Sequence, residues 1–175
     1  MAHANTPVSI TSADLSEDRF SRFGLIDWWD QEKLRSAKIL VVGAGALGNE
    51  ILKNFALLGI GHVLVIDLDT IELSNLSRSV LFRPGDIGQQ KAVVAAERTR
   101  DLYPDCCVKS ISGNVMHDIG LGVFGWADVI LGALDNREAR LWINRAAWKM
   151  NRPWIDGAIE GINGVARVFL PGKPP

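Results

Sequence analysis

The sequence predicts an α/β fold, a doubly wound and mainly parallel sheet with helices on both faces, and three observations carry that expectation. A continuous apolar run of strand length, KILVVG from Lys38 to Gly43, passes directly into a stretch with helical apolar spacing. A second apolar run, HVLVID from His62 to Asp67, follows that helix, and strand, helix, strand in this order implies a parallel pair. The alternation then continues along the chain, as a doubly wound sheet requires.

Each element follows from its own text. Residues 1–16 are polar, rich in Ser, Thr and Ala and without apolar period, and read as a flexible arm. From residue 17 to Arg35 the sequence predicts two short lead-in helices broken near Gly24, anchored by Phe20, Phe23, Trp28 and Leu34. After KILVVG, the stretch ALGNEILKNFALLGIG sets Leu47, Ile51, Phe55 and Leu58 on one helical face. GQQKAVVAAERTRDLY predicts a helix stopped by Pro104, CVKSIS a third strand, WADVILGAL a fourth, and NREARLWINRAAWKM a further helix. PWIDGAIEGINGVARVFL is strand-rich, with glycine at its bends. Residues 17–175 read as one domain, without internal repeats or low-complexity segments.

Composition excludes several classes. With 22% charged residues and a formal net charge of -1, no global field favours nucleic acid or an anionic membrane. No run approaches the roughly 18 apolar residues of a membrane span, and the polar N-terminal text lacks a signal peptide's apolar stretch, so a cytoplasmic location is expected. Cys106 and Cys107 are adjacent and precede a short apolar run, which reads as two small buried hydrophobes. His3, His62 and His117 are scattered without ligand spacing, and no Cys-x-x-Cys is present, so no zinc site is legible.

The chemistry begins at the first turn. Gly43, Gly45 and Gly48 form Gly-x-Gly-x-x-Gly between the first strand and its helix, a loop that brings a phosphate to the backbone at a helix N-terminus. Asp67 ends the second strand, where such folds place an acid on ribose hydroxyls. Asp69 either joins it or caps the following turn. SNLSR and GQQK then bring Arg78 and Lys91, with the amide of Asn75, close behind the ribose acid. Nicotinamide chemistry needs an apolar slot, whereas phosphoryl or adenylyl chemistry needs cations on the phosphates, so these residues favour ATP over NAD. In LDNREAR, Asp135 stands at the carboxyl end of the fourth strand, where open parallel sheets bind ligands. Its carboxylate either holds magnesium beside a triphosphate or caps the helix beginning near Asn136. Arg140 likewise reads as an ordinary helix-face charge.

Taken in order, GAGALG, IDLDTIELSNLSR, GQQK and LDNREAR resemble the ubiquitin-activating-enzyme-like family, which includes ThiF, MoeB and HesA and the molybdopterin and thiamine sulfur-carrier adenylyltransferases. The resemblance runs from Arg19 to Phe169 and implies a Rossmann-like fold. It implies ribose binding by Asp67, phosphate contacts by Asn75 and Arg78, neutralisation near the α-phosphate by Lys91, and magnesium on Asp135. The nucleotide-binding set it implies is completed by Gly43, Gly45, Ala46, Gly48, Asp69 and Asn136. The text RFSRF matches the family's N-terminal arginine motif, so Arg22 is expected to reach the nucleotide of a partner subunit, and a homodimer follows. Three departures stand out: Ala46 in place of a third close glycine, Ser79 in place of a frequent glutamine, and Gly132 in place of a frequent aspartate. Relatives usually continue beyond this point into a Cys-x-x-Cys pair, and zinc is expected only in such downstream sequence.

The activity implied by the resemblance is ATP- and magnesium-dependent adenylation of the C-terminal carboxylate of a ubiquitin-like modifier, a sulfur-carrier protein or a peptide, with release of pyrophosphate. Arg22, Arg78, Lys91 and Asp135 are the expected catalytic groups. Two alternatives are a non-catalytic scaffold subunit of a heterodimeric activating enzyme and a NAD-dependent oxidoreductase. Retention of Asp67, Arg78, Lys91 and Asp135 speaks against the first.

Overall fold

The computed structural model describes residues 18–172, and the expected flexible arm, residues 1–16, lies outside them. The chain divides into two compact units, one ending at Gln31 and the other beginning at Glu32. In the first, a 3-10 turn covers Ser21–Leu25, so Gly24 sits inside a helical turn and not at the expected break. Its rings gather around Phe23, whose centroid lies 6.3 Å from that of Phe20 and 4.5 Å from that of Trp29. Trp28, expected as an anchor, is 79% exposed, and Trp29 takes that part by donating its indole N–H to Gln31 Oε1 at 3.0 Å.

From Gln31 onward the order is α1 (Gln31–Ser36), β1 (Lys38–Val42), α2 (Ala46–Leu58), β2 (His62–Asp67), α3 (Lys91–Leu102), β3 (Cys107–Ser112), α4 (Leu121–Trp126), β4 (Val129–Gly132), α5 (Arg137–Lys149), β5 (Trp154–Glu160) and β6 (Asn163–Phe169). The six strands form one sheet in the order β3-β2-β1-β4-β5-β6. The first five run parallel and β6 returns antiparallel to β5. Gly161, at φ +62, makes that hairpin turn. The strand order reverses between β1 and β4, which opens a crevice at their carboxyl ends.

The central run, β1, is buried on both faces. Leu40, Val42, Ile66 and Ile130 pack with Phe124 of α4 and with Ile143, Ala146 and Ala147 of α5. The alternate residues Val41, Val63 and Val65 are buried on the opposite face, where α2 packs on α3 and α3 lies against β2 and β3. This is the expected doubly wound sheet.

Two elements differ from expectation. The deepest face of α2 is Gly48, Asn49, Leu52 and Ala56, one position on from the predicted stripe of Leu47, Ile51, Phe55 and Leu58. Small residues let the helix approach the sheet closely, and the larger ones flank that line. Helix α4 has two glycines in LGVFGW, which lowers its intrinsic propensity, and it is held instead by the fully buried Phe124. Of the two cysteines only Cys106 is buried, its thiol pushed up to about 12 chiefly by desolvation, while Cys107 is exposed on edge strand β3. No helix among the described residues is long and apolar enough to cross a membrane.

Candidate active site

The crevice holds a cleft of about 340 Å3, and its floor is the turn from β1 into α2. Gly43 has φ +98, and a Cβ there would lie 2.5 Å from the Ala133 carbonyl oxygen, so the first glycine brings the ends of β1 and β4 together. A Cβ on Gly48 would meet the Gly43 carbonyl oxygen at 2.1 Å, so the third glycine seats the helix on the turn. Gly45 has nothing within 4 Å of its absent Cβ and faces the open cleft. It occupies the N-cap of α2, with no side chain to satisfy the first amides of the helix. Ala46 and Leu47, at the start of that helix, line the cleft beside it, an arrangement that favours an anion.

Asp67 closes the turn from the side. Its Oδ2 accepts the Ala44 N–H at 2.6 Å and its Oδ1 accepts the Asp69 N–H at 2.8 Å, so the carboxylate is held in one orientation. Burial pushes its pKa up from the ordinary carboxylate value, opposed by those two N–H groups and by Lys91. Asn49, fully buried on α2, braces the other side. Its Nδ2 donates to the carbonyls of Ala44 and Gly45 at 2.7 and 3.0 Å, and its Oδ1 accepts the Leu81 N–H at 2.9 Å. One amide thus ties the glycine turn to the segment after β2.

That segment supplies the polar wall. A 3-10 turn covers Leu73–Ser77, where Asn75 Oδ1 accepts the Glu72 N–H at 3.0 Å and leaves its amide protons as the donors available at the cleft. Arg78 is exposed, steadied by a 2.9 Å bond from Nη1 to the Ser74 carbonyl. Ser79 is 4% exposed and also lines the cleft. Lys91, the first residue of α3, donates from Nζ to Asp69 Oδ2 at 2.8 Å, and its backbone N–H bonds the Asp69 carbonyl at 2.9 Å. Asp69 therefore holds the lysine, a duty distinct from the turn cap considered for it.

Opposite stands the loop between β4 and α5. Asn136 caps α5, its Oδ1 accepting from the N–H groups of Glu138 at 2.8 Å and Ala139 at 3.4 Å. Asp135 is thereby released from capping, and it lines the cleft as an exposed carboxylate. Arg140 also reaches the cleft, where its guanidinium donates to the Leu134 carbonyl and pairs at 3.3 Å with the buried Asp156. Gly132 has a local cause: a Cβ there would lie 2.9 Å from the Trp154 ring, so the indole occupies the space that an aspartate would need.

Gly43, Gly45, Ala46, Asp67, Asp69, Asn75, Arg78, Lys91 and Asp135 are thus brought to one cleft. Gly48 and Asn136 support it from behind, the one seating a helix and the other capping one. Arg22 belongs to the first unit and is exposed on the turn Ser21–Leu25. Sequence reading missed Asn49 and Asp156, and it met Ser79 only as a departure from the family pattern. The one available signal for Asn49 was a polar residue one turn before Leu52 in an apolar helix. Among the described residues no cluster of three or more His, Cys, Asp or Glu is placed to hold a metal. A single exposed carboxylate in a cleft that favours an anion fits magnesium, a hard ion that Asp135 would hold through oxygen.

Known proteins resemble this chain in sequence and fold. The chain is 40% identical over 143 residues to the SUMO-activating enzyme subunit uba-2 of Caenorhabditis elegans, a match covering 81% of this chain and 25% of that protein. It is 41% identical over 148 residues to the Nedd8-activating enzyme E1 catalytic subunit of Drosophila melanogaster, covering 77% and 33%. Among solved structures, that of E. coli MccB with AMPCPP and MccA superposes with a TM-score of 0.80 at 28% identity, covering 94% of this chain and 52% of that one. The chain thus spans about a quarter of the first of these two relatives and a third of the second. The ThiF family profile matches residues 17–175, and with the cleft and the sheet order described above this chain belongs to the ThiF family.

Proposed function

We propose that this chain is an ATP-binding adenylation domain that joins AMP to the C-terminal carboxylate of a ubiquitin-like modifier, a sulfur-carrier protein or a peptide. The observation that carries the reading is the convergence of Arg78, Lys91, Asp67 and Asp135 on a cleft floored by the uncapped start of α2. The names of the relatives, activating enzymes for SUMO and Nedd8, and the AMPCPP and MccA in the MccB structure support the substrate class.

In this reading Asp67 accepts from the ribose hydroxyls, and the amides at the start of α2 meet the phosphates. Asn75 and Arg78 contact the outer phosphate oxygens, and Lys91 stands toward the α-phosphate. The carboxylate of the acceptor attacks the α-phosphorus, the bond to the bridging oxygen breaks, and pyrophosphate leaves with the negative charge. This chain need form no covalent bond in that step, so its contribution is alignment and charge stabilisation. Magnesium, when held by Asp135, neutralises charge on the phosphates. Each preorganised charge is worth on the order of 3 kcal/mol, about a hundredfold in rate. Arg22 is assigned to the nucleotide of a second subunit in a homodimer, and the site of action is the cytoplasm.

Calorimetric titration of the chain with ATP and magnesium and separately with NAD tests the reading. ATP is expected to bind more tightly, because the cations and Asp135 suit a triphosphate. Tighter binding of NAD would remove the adenylation reading.

A further inference from the structure

Arg140 is the cleft residue whose contacts an ordinary helix-face charge does not explain. It stands one turn into α5, yet its side chain is only 25% exposed and turns back under the loop that carries Asp135. Nη2 donates to the carbonyl of Leu134, the residue before Asp135, and reaches the Gly157 carbonyl on β5 at 3.4 Å. Nε faces Asp156 Oδ1 at 3.3 Å, with both atoms buried and not aligned as a hydrogen bond to each other or to any other group among the described residues. Asp156 is 6% exposed, and Arg167, its register partner on β6, lies on the strand beyond it. Burying a carboxylate is costly unless a cation compensates it, and a surface charge on α5 would need neither the burial nor the two carbonyl contacts.

The guanidinium therefore spans from the loop at the carboxyl end of β4 to the middle of β5. The Asp135 loop has two other anchors, the Ala133 N–H on the Val42 carbonyl at 2.8 Å and the Asn136 cap, and they flank Leu134 and Asp135 on either side. We propose that Arg140 is a positioning residue for Asp135: anchored on buried Asp156 and clamping the Leu134 carbonyl to β5, it sets the angle at which the Asp135 carboxylate meets a metal–nucleotide complex. The proposal deepens the nucleotide reading of this cleft and rests on it. Groups that orient a metal ligand from behind commonly govern metal affinity by about ten- to a hundredfold.

The test is nucleotide binding by the whole chain, measured calorimetrically with ATP plus magnesium and with ATP in the presence of EDTA. Arg140→Gln is expected to weaken the magnesium-dependent titration about tenfold and to leave the metal-free one within about twofold. Added to Asp135→Asn, the same change should cause no further loss, because both act through one carboxylate. Arg140→Lys, which keeps the charge but not the fork, should fall between Arg140→Gln and the wild type. Asp156→Asn should weaken magnesium-dependent binding in the same direction, and it carries the test if Arg140→Gln lacks a cooperative melting transition. Equal losses with and without metal would make Arg140 a direct phosphate contact or a purely structural residue, and would overturn the proposal. Unchanged binding in Arg140→Gln and Asp156→Asn would do the same while leaving the nucleotide reading intact. A wild-type chain that binds neither form of ATP would remove both.

Discussion

Asp135 has no structural duty at the start of α5, since Asn136 supplies the cap. Asp135→Asn is accordingly expected to lower acceptor-dependent exchange of pyrophosphate into ATP by a hundredfold or more while shifting stability by less than about 0.5 kcal/mol, as for other exposed positions. A normal exchange rate in the folded variant would leave Asp135 without a role in the chemistry. Asn49 is the opposite case, a residue whose work is all architecture. Asn49→Leu orphans the Leu81 N–H and removes the donor on the Ala44 and Gly45 carbonyls, and should destabilise the chain by about 3 kcal/mol. Denaturant unfolding would measure it, and a loss below about 1 kcal/mol would mean that other groups take over those bonds. At this scale the sequence named most of the polar residues that line the cleft, because they fall in short motifs of glycines and charges at close spacing in the chain. It did not name those that brace the cleft from behind, because Asn49 and Asp156 act on partners distant in the chain.

The glycine turn divides its two tasks between positions that sequence treats alike. Gly45→Ala places a methyl in open space at the cleft, so it should preserve stability within about 1 kcal/mol and weaken ATP binding. Gly48→Ala drives a methyl into the Gly43 carbonyl and should destabilise the domain by about 2 kcal/mol or more. Paired melting and titration of the two variants would check this, and equal effects would mean that the turn relaxes as a unit. Strands were legible at element scale because β1 is buried on both faces, and β2 and β4 are buried on one face and half-buried on the other, so all three read as unbroken apolar runs. The buried face of α2 was misread by one position, because close packing favours small residues that a search for large apolar ones passes over. Helix α4 was invisible for a related reason, since its stability comes from Phe124 in the core and not from its own propensity.

For the whole molecule, the assignment of Arg22 to a second subunit has a direct test. Mixing an Arg22→Ala chain with a Lys91→Ala chain should restore activity in heterodimers verified by mass, because one site loses both groups and the other keeps both. No recovery would place Arg22 on the nucleotide of its own chain or on none. The sheet order carries a consequence for how the site comes into being. Ile39 of β1 pairs with Val63 in the next strand and with Val129 far along the chain. The first pairing closes a short loop and the second a long one, so the β1-α2-β2 half has the lower entropic barrier to assembly. That half brings the glycine turn and Asp67, with Asn75 and Lys91 following, whereas Asp135 arrives only when β4 docks on β1. A chain halted midway would own Asp67 and Lys91 but not Asp135. Under the proposed function, nucleotide with its metal would act as a clasp across the two halves of the sheet: at about a hundred times its dissociation constant it would add about 2.7 kcal/mol to the closed state alone.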